Sequence, residues 1–288
     1  MLKEDIEQHL KNYDFLINVL YTQIENTNAA LVGNPNWWAF APKVCQKFFN
    51  QAITLKALFA NKVLEVGEYG PKPFEDVSTI YTTLRMQFET HGLFFHLFVP
   101  TTNWEVNILR FRLWELDGIR TKIAFRLKLN GPTKDPSLDE LYLPRVVKSI
   151  TDLAYYNILD EKRRKFLFDR AAWRFSEQSL REINSNKWQF SYEQLVKNAG
   201  IKDEIYGNLY SHFSMHTHPG YIGVVQSMSL DSTELLIAKY VSVLYSCFVT
   251  SFMISDLSKR FAQSREHYES LSDNHKDVIQ SFLKAGRN

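Results

Sequence analysis

Cysteine, proline and glycine are all scarce in this chain, and each scarcity excludes something. Of 288 residues only Cys45 and Cys247 are cysteines. Neither takes part in a CxxC or Cys–His zinc spacing, so a disulfide framework and a zinc module are excluded; two buried thiols in a reducing compartment are expected. Glycine (11) and proline (9) fall between long periodic segments, the punctuation of an all-helical fold rather than a strand-rich one. A surplus of charge is also missing. The formal net charge is +2, so the overall balance points to neither a nucleic-acid nor a membrane partner. The first residues, Met1 to Asp5, lack the apolar run of a signal peptide, and the expected location is the cytoplasm. One uncharged, largely apolar stretch, the sixteen residues Tyr240 to Ser255, is shorter than the ~20 residues of a membrane span. It also carries Ser242, Ser246, Thr250, Ser251 and Ser255, and it predicts a buried core helix without a membrane partner. No G-x-S-x-G nucleophile elbow and no E-x-x-H di-iron motif occurs.

What the chain does have is helical periodicity over most of its length. Apolar spacing predicts helices over about 2–26, 42–64, 75–98, 103–129, 145–184, 192–200, 203–218, 231–261 and 265–285. Pro42 suits a first turn. Thr102 with Glu105, Ser191 with Gln194 and Asp231 with Glu234 have capping-box spacing, and Gly200 ends a short helix. The expectation is an all-α fold: a single multi-helix domain spanning 1–288, with about eight or nine helices and a bundle-like core.

The residues that point to chemistry stand in a column. Tyr206, Tyr210, Ser214 and His218 recur every fourth position and are followed by Pro219-Gly220. On a helix this spacing places all four on one side, drifting about 40° per step. Two phenols, a hydroxyl and an imidazole are costly to bury unless each finds a partner. A second pair, Arg85 and Glu89, lies one turn apart in an otherwise apolar helix, so the two must pair with each other or with a third group. Ser214 lacks the third group a serine nucleophile needs. Histidine moves protons near neutral pH, which makes His218 the candidate acid–base or phosphate ligand. The competing expectation is a satisfied polar layer inside a helical core.

Three further patterns carry weaker signals. His212 and His216 have the spacing of two metal ligands and need a third, for which Glu89, His91 or His96 are the candidates. Arg85 and His91 fit the loose Arg-x4–6-His pattern of helical ribonucleases. There Arg stabilises developing phosphate charge and His takes the 2′-hydroxyl proton without a metal. Lys162 to Lys165 with Arg170 and Arg174 forms the strongest basic run. Within one long helix, Arg163, Arg170 and Arg174 would share a face interleaved with Phe166, Trp173 and Phe175, a composition suited to single-stranded RNA.

The segment from Trp188 to Gly220, together with Arg85 to Glu89, resembles a bacterial family of uncharacterised all-helical proteins. Its pattern is an Arg-x3-Glu helix, a Trp-led capping segment and a Tyr-rich helix ending in Ser-x3-His. The resemblance covers roughly residues 75–255 and implies a core over 75–262 with residues 1–70 as an accessory part. It implies an all-helical cytoplasmic protein and points to Arg85, Glu89, Tyr210, Ser214 and His218. Similar Arg/His helical proteins occur in bacterial toxin and anti-phage systems. The expected function is therefore metal-independent RNA cleavage or phosphate binding in defence or stress, with no cofactor. The alternative is a non-enzymatic helical module that serves a protein partner or a homodimer.

Overall fold

The computed structural model describes residues 2–31, 37–60, 62–65, 67–74, 76–99, 103–131, 136–181, 188–217, 224 and 231–287. In chain order the helices are α1 (Leu2–Leu31), α2 (Ala41–Phe59), α3 (Val77–Phe98), α4 (Trp104–Asn130), α5 (Leu138–Thr151), α6 (Ala154–Asn157) and α7 (Glu161–Asp169). They continue with α8 (Glu177–Arg181), α9 (Tyr192–Asn198), α10 (Asp203–Thr217), α11 (Ser232–Arg260), α12 (Ala262–Ser270) and α13 (Asp273–Gly286). Between α2 and α3 a short antiparallel hairpin pairs β1 (Lys62–Glu65) with β2 (Pro71–Phe74), Lys62 opposite Phe74. Gly67 and Gly70, in the connection between the strands, both take positive φ. The all-α class holds with this hairpin as its one departure among the described residues. The helices outnumber the eight or nine expected.

Most of the extra helices come from the stretch 145–184, expected as one long helix. It is broken at three places. Helix α5 already starts at Leu138, where Ser137 and Glu140 form a reciprocal capping box, and it carries Pro144 in its interior rather than at its start. Asp160 then caps a new helix by accepting the Arg163 amide at 2.8 Å. Helix α7 ends at Asp169, and Ala171 follows with φ +43°, a left-handed conformation that a helix cannot continue through. Asp152, Ile158 and Arg170, at the C-terminal ends of α5, α6 and α7, keep right-handed helical angles, so these three ends carry no left-handed glycine stop that a sequence would show. Arg163 therefore lies in α7, Arg170 caps its C-terminus and Arg174 lies beyond it. The three arginines do not share a helix face. Arg163 is paired with Asp160, and its guanidinium stands 5.9 Å from the Trp188 ring. Trp173 and Phe175 are buried.

At α11 the capping box is formed. Asp231 accepts the amides of Thr233 and Glu234 at 2.7 and 2.9 Å, while Glu234 accepts the Asp231 amide at 2.9 Å. At α4 the cap is Asn103, which accepts the Glu105 amide at 3.0 Å; Thr102 lies outside the described residues. The expected helix over 265–285 is two, α12 and α13, with Ser272 capping the second.

The chain folds as two compact units, one made of residues 1–95 and 192–288, the other of 96–191. In the first unit α11 packs against α1, α2, α12 and α13. The N-terminal helices, expected as an accessory part, supply much of this core. Tyr13, Leu16, Leu20 and Ile24 on one face of α1 are fully buried, as are Cys45, Phe48 and Leu55 on α2. Polar ties cross the seam. Gln23 donates to the Ser258 hydroxyl at 2.7 Å, and the hydroxyls of Thr27 and Ser264 are 2.7 Å apart.

Helix α11 is long and apolar enough to cross a membrane by length and composition. Two of its interior serines are satisfied locally, while the buried Ser251 hydroxyl has no partner among the described residues. Ser242 donates to the Ala238 carbonyl and Ser246 to the Ser242 carbonyl, both at 2.7 Å, which lets hydroxyls be buried under α1 at small cost.

The second unit packs α4 against α5 and α6. Val106, Leu109, Leu113, Leu116, Ile150 and Phe175 form its interior. Glu105 accepts the Tyr155 amide at 2.7 Å, and Arg126 pairs with Glu140 at 2.6 Å. Phe125, Leu129, Leu138 and Leu141, near the adjoining ends of α4 and α5, stand exposed.

Candidate functional site

Arg85 and Glu89 project from α3 one helical turn apart. Tyr206, Tyr210 and Ser214 project from α10 at the same interval, so the two rows meet side by side. The Arg85 Nε–H donates to Glu89 Oε1 at 2.9 Å, Nη2 donates to the Tyr210 hydroxyl at 2.8 Å, and Nη1 donates to Ser214 Oγ at 3.1 Å. Ser214 spends its own proton on the Tyr210 carbonyl at 2.7 Å, which turns its lone pairs toward the guanidinium. The Tyr210 hydroxyl donates to Glu89 Oε1 at 3.3 Å, and the guanidinium carbon stands 4.5 Å from the Tyr210 ring centre. One carboxylate, one phenol and one hydroxyl thus fix both the position and the plane of one cation.

The cluster is neither sealed nor open. The side chains of Arg85 and Glu89 are 19% and 21% exposed. Burial alone would lower the Arg85 pKa, but the bond to Glu89 and its charge outweigh it and raise it. The Tyr210 phenol is pushed up by burial and then by the Glu89 carboxylate, so it stays protonated and available as a donor. Tyr206 does not join the hydrogen-bond network. Its ring packs 4.8 Å from Phe88 and 5.5 Å from Tyr210, and its buried hydroxyl has no partner among the described residues. His218, the last member of the column, lies outside the described residues.

The metal-ligand spacing leads to a different arrangement. The rings of His212 and His216 lie 5.0 Å apart, each 4.9 Å from Tyr81, and His216 Nδ1 is 3.4 Å from the Ser78 hydroxyl. Burial lowers the pKa of both, His216 also through the neighbouring His212. No group of three metal-binding side chains gathers among the described residues. Glu89 belongs to the Arg85 cluster, and His96 holds the Trp173 carbonyl at 3.0 Å in the other unit.

His91 is likewise engaged elsewhere, so the short Arg85–His91 pattern does not form a site. Its Nε2 lies 2.9 Å from Asp256 Oδ2, and both side chains have no exposure. Arg287 closes the network with Nη1 on Asp256 Oδ1 at 2.8 Å and Nη2 on Oδ2 at 2.6 Å. Its Nε also donates to the Ala199 carbonyl at 2.9 Å. Sequence reading missed this triad. The available signal was Asp256 itself, a carboxylate that ends sixteen uncharged residues on a core helix.

The protonation of the triad follows from its contacts. His91 Nδ1 is buried without a partner. A lone pair left there costs less than a buried N–H with no acceptor, so the neutral tautomer with hydrogen on Nε2 is the stable one. Burial lowers the His91 pKa, opposed by Asp256 and reinforced by Arg287 and Lys259. Burial would raise the Asp256 carboxyl, but the bonds from His91 and Arg287 hold it down at about 2. Both folded-state values lie below the ordinary ones of ~6.5 and ~3.9. Both groups therefore contribute stability that is complete above pH ~6.5 and is lost as the pH falls, first through His91 and then, below pH ~4, through Asp256. Urea unfolding followed from pH 7.5 down to pH 2 is expected to show this loss, with the Asp256 part, on the order of 2 kcal/mol, falling between pH ~4 and pH ~2. Stability that stays level or rises over that range would contradict the assignment.

A cavity of about 600 Å³ in the first unit is lined by Ile6, Leu10, Phe59 and Leu235 with Lys3 and Lys239 among its polar residues, and it does not include the Arg85 cluster. Compared with family models, with curated proteins and with solved structures, the chain matches none.

Proposed function

We propose that the Arg85 cluster is the phosphate-holding site of a metal-independent, RNA-cleaving helical protein that acts in the bacterial cytoplasm in defence or stress. The observation that carries this reading is the guanidinium itself, one-fifth exposed and already held in one orientation by Glu89, Tyr210 and Ser214. A cation fixed in advance stabilises charge that develops on a phosphoryl oxygen without reorganising at the moment of reaction. His218 would take the 2′-hydroxyl proton as the 2′-oxygen–phosphorus bond forms. The bond to the 5′-oxygen then breaks, and that oxygen leaves with a proton returned by the imidazolium. Glu89 orients Arg85, and Tyr210 and Ser214 position it. Arg163, Arg170 and Arg174, which share no helix face, are the second unit's own candidates for RNA contact. The resemblance to uncharacterised helical proteins with an Arg-x3-Glu helix and a Ser-x3-His helix supports the same choice of residues.

Purified protein incubated with structured and with unstructured RNA is expected to cleave at least one of them, and His218→Ala is expected not to. No cleavage by the wild type, or equal cleavage by the variant, would end the proposal.

A second reading rests on a different observation. Nε, Nη1 and Nη2 of Arg85 each donate to a protein group, so the cluster also works as a cross-link between α3 and α10. In that case the protein is a non-enzymatic interaction module. The exposed Phe125, Leu129, Leu138 and Leu141 would then form the face offered to a protein partner or a second copy.

A further inference from the structure

The cavity of about 600 Å³ in the first unit lies where the first turns of α1 and α11 meet the end of α2. Small-molecule sites ordinarily span about 300–1,000 Å³, so a ligand fits. The walls are apolar. Ile6 and Leu10 come from α1, Phe59 from α2, and Leu235 and Leu236 from α11. Ile6 and Phe59 are buried, and the fully buried Tyr13 packs against the Phe59 ring with centroids 6.1 Å apart, so this wall is fixed before any ligand arrives. Leu10, Leu235 and Leu236 stay only half-buried beside the space.

The polar side chains of the lining are all exposed ones: Lys3, Glu7, Ser232 and Lys239. They form the rim, and no buried polar side chain lines the interior among the described residues. A polar group carried inside would lose its water without gaining a partner, so the part of a ligand that enters must be hydrocarbon. At the rim two amines stand against one carboxylate, which favours an anionic head over a cationic one. The first turn of α11 adds no donors, because the Thr233 and Glu234 amides are taken by Asp231. Lys3 carries its ammonium on a flexible four-carbon stem that can follow a head group.

We infer that this cavity binds a free medium-chain fatty acid. The chain lies against Ile6, Phe59 and the two leucines of α11, and the carboxylate stays at the rim beside Lys3. The site is separate from the Arg85 cluster and does not depend on its assignment.

Calorimetric titration of the full chain with hexanoate, octanoate and decanoate, each below the concentration at which it forms micelles, tests it. Affinity is expected to rise about fourfold per methylene, the gain for a methylene moved from water onto an apolar wall. Octan-1-ol and octylamine carry the same chain and are expected to bind about threefold more weakly than octanoate, the effect of one exposed charge pair. Lys3→Gln is expected to bring octanoate down to the level of octan-1-ol and to leave octan-1-ol unchanged. Ala60→Trp puts an indole into the space from an exposed residue of extended backbone and is expected to abolish decanoate binding. If that variant does not fold, the chain-length series on the wild type decides. No binding of decanoate, an affinity that does not rise with chain length, octan-1-ol or octylamine binding as tightly as octanoate, or unchanged binding by folded Ala60→Trp would overturn the proposal.

Discussion

Asp256→Ala is expected to lower the unfolding free energy by about 3–5 kcal/mol, the range for removing one partner of a buried ion pair. The carboxylate is completely buried and receives hydrogen bonds from His91 and from both Nη atoms of Arg287. Without it the Arg287 guanidinium, 11% exposed, would be left with the Ala199 carbonyl as its acceptor, and His91 would have no bonding partner at either nitrogen. The damage should spread, because Arg287 ties the end of α13 to the turn after α9. Lys202 donates to the Gly286 carbonyl at 3.1 Å, and Ile201 pairs with Arg287. Equilibrium urea unfolding measures the change. Asp256→Asn keeps the volume and one acceptor and should lose less, together with the acid-dependent part of the stability below pH ~4. A loss under ~1 kcal/mol in the alanine variant would mean that the triad contributes little.

Arg85→Ala carries the second large effect. Under the RNA-cleaving proposal it removes the preorganised cation and should reduce cleavage by about 10²–10³-fold, the cost of deleting one oxyanion-stabilising group. Arg85→Lys should not restore it, since an ammonium cannot direct bonds to Glu89, Tyr210 and Ser214 at once and keep a fixed plane. Stability separates the two readings. Glu89 is about one-fifth exposed and keeps the Tyr210 hydroxyl as a donor, so water can take up part of the vacated role. The expected destabilisation is therefore about 1–3 kcal/mol, smaller than at Asp256. Lost cleavage in a variant that still melts cooperatively supports a chemical role. A cleavage-inactive wild type combined with a large stability loss supports the cross-link.

Much of the candidate site was legible because its rule is local. Arg85 with Glu89, and Tyr210 with Ser214, sit four residues apart, and an α-helix turns that interval into a shared face whatever the rest of the chain does. The bonds from Arg85 across to α10 bring the two faces together, while His218, the imidazole expected beside the guanidinium, lies outside the described residues. The same locality served the helix α11 cap at Asp231 and Glu234. It failed over 145–184, where the residues ending α5, α6 and α7 keep helical angles and no left-handed glycine stop marks the breaks. The basic run was misread with it, since a shared face requires an unbroken helix.

By itself, then, the sequence determined the helical class, most helix starts and the two polar rows, because periodicity and capping act over one or two turns. Tertiary structure alone decided which charges are buried together. His91 and Asp256 are 165 residues apart, and Asp256 and Arg287 are 31 apart. Nothing in their local spacing distinguishes them from solvated residues. Only packing α3, α11 and the end of α13 around one point removes water from all three, and the removal of water is what makes each of them require the others.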